Sequence, residues 1–206
     1  MNKKNNRSFS AGELAMLGVL IALVLVLLMW GSIPAGPLKI TTAMIPVAIA
    51  AIILGVKGGA IIGGFFGLFS FLQALGALPN GSALLVSLAA INAPLTFIQC
   101  FVPRLLCGIL TGVTYNAVKK RTKAPIACGI AGFGSAFYNT LFFIPCLFLL
   151  FGNAEPVMNI RNGRGVLITI AGMITINVVC EWISATIIAS AVGTALRKAG
   201  VSNYNR

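Results

Sequence analysis

The 206-residue sequence contains no histidine and no aspartate, and its three acidic residues, Glu13, Glu155 and Glu181, stand against fifteen basic ones. Hydrolases and phosphotransferases need paired carboxylates, a histidine dyad or a metal cluster, and none can be assembled from this set, so no enzyme is expected. The five cysteines, Cys100, Cys107, Cys128, Cys146 and Cys180, have no CxxC spacing and no histidine to complete a site. They lie in apolar runs and read as buried small hydrophobes, so neither a metal nor another cofactor is expected. A G-x-x-x-x-G-K-[ST] phosphate loop is also missing, so the chain cannot drive transport with ATP by itself. There is no internal repeat and no inverted pair of broken helices.

Apolar residues are present in excess: 58% of the chain is hydrophobic and 9% charged, with a mean hydropathy of +0.99. Such a chain is an integral membrane protein, and its length leaves room for roughly six helical spans of about 20 residues. We place them at 13–30, 42–56, 58–76, 95–118, 124–151 and 165–196. The expected fold is therefore all-α, with six transmembrane helices forming one membrane domain over 1–206. Short cytoplasmic tails cover 1–12 and 197–206. The leading apolar run continues through "LAMLGVLIALVLVLLMW" without a small-residue cleavage site, so it reads as a retained span. The second span is short, and Pro46 near its start predicts a bent or partly irregular element.

The net charge of +12 has a topological reading, and no nucleic-acid partner is implied. With the N-terminus inside, the cytoplasmic ends hold eleven cations: Lys3, Lys4, Arg7, Lys57, Lys119, Lys120, Arg121, Lys123, Arg197, Lys198 and Arg206. The outer side holds Lys39, Arg161 and Arg164, an asymmetry that puts both termini in the cytoplasm.

One cation, Arg104, lies within a span, in "FIQCFVPRLLCGILTG". It falls roughly 13 Å below the outer interface at about 1.5 Å per residue. A cation at that depth costs about 2.5 to 3.5 kcal/mol on insertion scales unless it is paired or wetted. Two readings stay open at this point. Arg104 forms a structural ion pair with Glu181, the only carboxylate deep in a span, or snorkels outward. Alternatively it faces a cavity open to the outside and anchors the carboxylate of an anionic ligand through two parallel hydrogen bonds. Other polar side chains converge on the same depth. Asn139 in span five could meet Arg104 near mid-membrane, and Asn177 and Glu181 share a face of span six. With Gln73 and Asn92 they resemble the few polar groups of an otherwise apolar pocket, although interhelical hydrogen bonding is open to each one alone. Two stripes of small residues permit close approach. Ala11, Ala15, Gly18 and Ala22 on span one point to an external partner, whereas Gly59, Gly63 and Gly67 on span three fit internal packing.

The segments "IPVAIAAIILGVKGGAIIGGFFGLFSF", "FVPRLLCGILTGVTYNAVKK" and "FGSAFYNTLFF" resemble the substrate-binding S components of energy-coupling factor vitamin transporters, the group that includes the pantothenate and folate binders. The resemblance covers nearly the whole chain. It implies six helices around a vitamin near the outer surface of a bacterial plasma membrane protein, with the loop "LGALPNGSALLVSLAAINAP" covering the site. It implies ligand contacts at Arg104 and Asn139. It also implies that the stripe containing Ala11 and Ala15 meets a membrane coupling protein, the T component, which two ATPase subunits drive. A small anionic vitamin is thus the expected ligand. Pantothenate is favoured over folate, riboflavin and biotin, because one carboxylate matches one cavity arginine and its hydroxyls and amide match neutral partners. The alternatives are a free-standing secondary transporter of a small organic anion coupled through Glu181, the same role for another vitamin, and, third, an interaction or scaffold protein.

Overall fold

The structure is a computed structural model that describes residues 9–35, 38–161 and 176–200. Helix α1 (Ala11–Trp30) is followed by a two-stranded antiparallel hairpin, β1 (Ser32–Ala35) and β2 (Leu38–Thr41), in which Ser32 pairs with Thr41 and Ala35 with Leu38. Then come α2 (Met44–Ala74), α3 (Ala83–Ile91), α4 (Ala93–Val118), α5 (Ala124–Phe151), α6 (Glu155–Arg161) and α7 (Ile176–Lys198). Five of these helices, α1, α2, α4, α5 and α7, are long and apolar enough to cross a membrane.

Spans two and three, expected as separate helices, correspond to the two halves of α2, which is broken at Gly55 (φ 69°, ψ −158°). That backbone conformation is open to glycine and strained for other residues. It bends the chain back on itself. A Cβ built on Gly59 would lie 3.1 Å from Ala51 Cβ, eight residues earlier, whereas an unbroken helix would separate those levels by about 12 Å. Pro46, expected to distort the element, sits in its first turn, where a missing N–H has no intrahelical acceptor to lose. The half before the break is buried from Ala43 to Gly55 without a polar face, as befits a helix surrounded by others.

The half after the break meets α4 along a seam of glycines. A Cβ on Gly59, Gly63 or Gly67 would fall within 3.0 Å of α4 backbone at Gly108, Arg104 and Phe101 respectively. The GxxxGxxxG series thus serves internal packing. Because the obstacle is backbone, rotamer changes cannot relieve it. Gly63→Ala should lower stability by about 1 to 3 kcal/mol by pushing α4 away. Gly64→Ala meets only side chains at ordinary contact distance, the Phe101 ring at 3.6 Å and Leu105 Cδ1 at 3.9 Å, and should leave stability unchanged or slightly raised, since alanine is the better helix former. Thermal unfolding of the two purified variants checks the contrast. Equal melting would mean the seam is not a tight contact.

Helix α1 opens with a capping box between Ser10 and Glu13. It turns Leu17, Leu20, Val24 and Leu28 inward, and Ala11, Ala15, Gly18 and Ala22 all lie exposed on the opposite side. A Cβ on Gly18 would meet nothing within 4 Å. The segment between α2 and α4, expected as a loop, contains the nine-residue helix α3. Together with α6 and the C-terminal part of α5, it builds a second apolar cluster around Leu88, Phe143, Leu147 and Val157. At the other end of the bundle, Lys119 and Arg197 both face the Tyr115 ring, at 5.6 and 6.0 Å, which ties the ends of α4 and α7 together. The cysteines divide: Cys100, Cys107 and Cys128 are buried as expected, Cys146 is half-buried and Cys180 is exposed.

Candidate functional site

Arg104 projects from α4 where the two apolar clusters meet, and its residue surface is only 7% exposed. Its guanidinium carbon lies 4.8 Å from the centre of the Phe66 ring and 5.0 Å from that of Phe143. Nη1 donates to the Cys100 carbonyl at 2.9 Å and reaches the Gln99 carbonyl at 3.5 Å, while Nε has no partner among the described residues. The rings and carbonyls orient the fork and offset part of its desolvation, for aromatic faces attract a desolvated cation by up to about 2 kcal/mol or more. They do not neutralise it. A carboxylate meeting the unpaired N–H would also supply the missing charge.

Glu181 is not ion-paired with Arg104. Instead, Glu181 Oε1 accepts a hydrogen bond of 2.6 Å from the Thr41 backbone N–H. It thereby fastens the end of β2 to α7. Glu181→Gln keeps an acceptor in place and should cost about 1 kcal/mol or less. Glu181→Ala strands the Thr41 donor and should cost about 1 to 3 kcal/mol. Thermal unfolding separates the two. A loss on Glu181→Gln as large as on Glu181→Ala would show that the charge, and not the hydrogen bond, is what matters.

Asn139, on α5, is half-buried, and its Oδ1 is sealed from solvent with no partner among the described residues. It lies one turn before Phe143 on the same helix face. Gln99, which was not singled out from the sequence, completes the group: it is fully buried, its Nε2 donates to the Phe143 carbonyl at 2.9 Å, and its Oε1 has no partner among the described residues. The signal in the sequence was an amide five residues before the arginine in a run that is otherwise almost entirely apolar. Phe66 and Phe143, the aromatic walls, had no distinguishing signal.

Of the other residues proposed for the pocket, Gln73 and Asn92 are placed elsewhere. Gln73 is buried, but its Nε2 donates to the carbonyls of Leu28, Pro79 and Asn80, pinning the turn after α2 to the end of α1. The Asn80 side chain adds a second tie, to the Met29 carbonyl. Asn92 is exposed and caps α4, its Oδ1 accepting from the Leu95 N–H at 3.1 Å. It borders a separate opening of about 290 Å³ between the start of α4 and residues 148–154. Asn177 lies in the first turn of α7, with its side chain outside the described residues. Ser135 and Cys107, near Asn139, are engaged in packing: Ser135 Oγ donates to the Gly132 carbonyl at 2.8 Å, and Cys107 Sγ contacts the Ser135 carbonyl oxygen.

Comparison with known proteins bears on what such a site serves. Residues 13–193 match the family described as "ECF transporter, substrate-specific component". The chain is 28% identical over 198 residues to the protein named pantothenic acid transporter PanT of Lactococcus lactis subsp. cremoris, which covers 92% of this chain and 95% of that protein. It is 29% identical over 184 residues to the pantothenate transporter PanT of Leuconostoc mesenteroides subsp. mesenteroides, covering 85% of this chain and 86% of that protein.

Proposed function

The chain belongs to the substrate-specific components of ECF transporters, and from that premise we propose that it captures pantothenate from outside and delivers it through an ATP-driven coupling module. It is thus a multi-pass component of vitamin uptake in the bacterial plasma membrane, and not an enzyme. The observation that carries the substrate reading is the buried guanidinium of Arg104, held by two phenyl rings and two carbonyls with an N–H unpaired. One cation without a carboxylate partner suits a monoanion, and the open amide atoms of Asn139 and Gln99 suit its neutral polar groups. The names of both relatives agree with this choice.

The topology we propose has six crossings and both termini in the cytoplasm. The fold-back at Gly55 supports two crossings within α2, and the eleven cations assigned to the inner ends support the orientation. The β1–β2 hairpin, α3 and α6 then lie outside, over the site. The exposed stripe Ala11, Ala15, Gly18 and Ala22 is the surface for the membrane coupling protein, on which two ATPase subunits act. Mass spectrometry of small molecules released from the purified protein, followed by calorimetry, tests the substrate. Saturable binding of pantothenate is expected, and binding of another vitamin with no heat from pantothenate would overturn this choice. Uptake in proteoliposomes containing this chain alone, driven by a proton gradient, would overturn the ATP-driven reading.

A further inference from the structure

Gln99 and Arg104 present buried polar atoms of opposite character. Gln99 donates Nε2 to the Phe143 carbonyl. A carbonyl can only accept, so the amide nitrogen must face it and the oxygen must be the atom left open. The amide cannot rotate to offer a donor without giving up that bond. Its Oε1 is therefore an acceptor of fixed direction, fully buried and unmet among the described residues. Such atoms are rare in folded proteins because an unmet buried acceptor forfeits its hydration with nothing in return. Arg104 Nε is the complementary case, an unmet donor on a cation. Both side chains border Phe143, Gln99 through its bond to the carbonyl and Arg104 at 5.0 Å from the ring centre, so the two belong to one small region.

We infer that Gln99 determines specificity: its Oε1 accepts a hydrogen bond from an N–H or O–H of the bound molecule, so the site selects monocarboxylates that carry a neutral donor beyond the carboxylate. The inference rests on the reading that the Arg104 region takes the vitamin. Asn139 Oδ1, also open, reinforces the same polarity. A second carboxylate or a phosphate ester would present acceptors to these acceptors and be rejected. A carboxylate on a plain hydrocarbon would leave Gln99 unmet and lose affinity for that reason.

Calorimetry on the purified full chain tests this with pantothenate and three analogues, each lacking one neutral donor: two with a single hydroxyl replaced by hydrogen, one with the amide nitrogen methylated. The wild type should bind one of the three about 10- to 100-fold more weakly than pantothenate, the loss expected for stranding a buried acceptor. Gln99→Met, of similar size but with neither donor nor acceptor, should lose a comparable factor for pantothenate and no longer distinguish that analogue. The ratio of affinities within one variant is independent of the fraction that is folded. Binding of all three analogues by the wild type as tightly as pantothenate would overturn the inference without any variant, as would unimpaired pantothenate binding by Gln99→Met. If the wild type binds no pantothenate, the substrate choice fails separately. Biotin, which bears ureido N–H donors, and lipoate, which bears none, then decide the matter for Gln99. Preference for biotin supports the inference, and lipoate binding at least as tight overturns it.

Discussion

Arg104→Ala should weaken pantothenate binding by about 2 to 5 kcal/mol, or roughly thirty- to several-thousand-fold, the effect of removing one partner from a desolvated charge pair. The fold should survive, because the guanidinium is itself a strained tenant: it is buried between Phe66 and Phe143 with no carboxylate against it. Removing an uncompensated buried charge offsets the packing lost with the side chain, so the empty variant should melt at about the wild-type temperature. Melting temperatures should therefore diverge only when ligand is present. Saturating pantothenate should raise that of the wild type by mass action and leave the variant where it was. Arg104→Lys should fall between, since an ammonium keeps the charge but cannot offer two parallel N–H groups. Unchanged affinity in Arg104→Ala would remove the basis for placing the vitamin here.

Ala15→Leu should separate binding from transport. Ala15 is exposed and lies on the side of α1 opposite Leu17, Leu20, Val24 and Leu28, so a longer side chain disturbs nothing within the chain. It does obstruct a helix that approaches along the small-residue stripe. Overpacking of about 1 to 3 kcal/mol would weaken assembly roughly five- to 150-fold. Pantothenate binding to the isolated chain should be untouched, whereas co-purification with the coupling protein and vitamin uptake by cells should both fall. Wild-type uptake in the variant would exclude this face as the docking surface. Lost ligand binding would mean that α1 shapes the pocket.

The parts of this architecture that depend on one-dimensional periodicity were legible in the sequence. Spans expected at 13–30, 95–118 and 124–151 correspond to helices Ala11–Trp30, Ala93–Val118 and Ala124–Phe151. A lone cation in an apolar run was equally visible, because few arrangements tolerate it. What failed was the assignment of individual amides. Gln73 and Gln99 look alike in the chain, each an amide in an apolar segment. Tertiary neighbours decide that the three carbonyls at 28, 79 and 80 engage the donor nitrogen of the first, and that a single carbonyl at 143 leaves the second with an open oxygen. Asn92 could have been recognised, since asparagine two residues before Pro94 is an N-cap signal. The break at Gly55 was legible too, for the spans expected at 42–56 and 58–76 put a turn within two residues of it.

The glycine seam between α2 and α4 implies a division of labour among positions. Where backbone rests on backbone, no side-chain layer remains to compress, repack or change rotamer, so the distance between the helices does not depend on what the site around Arg104 holds. Gly59, Gly63 and Gly67 are committed to a chassis, and the Arg104 carbonyl is one of its bearing points. The candidate site draws on other residues, Phe66 on α2, Gln99 and the Arg104 side chain on α4, and Asn139 and Phe143 on α5, none of which belongs to the seam. A change at a wall position should therefore exchange one small anion for another in an unchanged frame, whereas a change in the seam moves the anchor for every ligand at once. In such a scaffold, selectivity can diverge without a new fold.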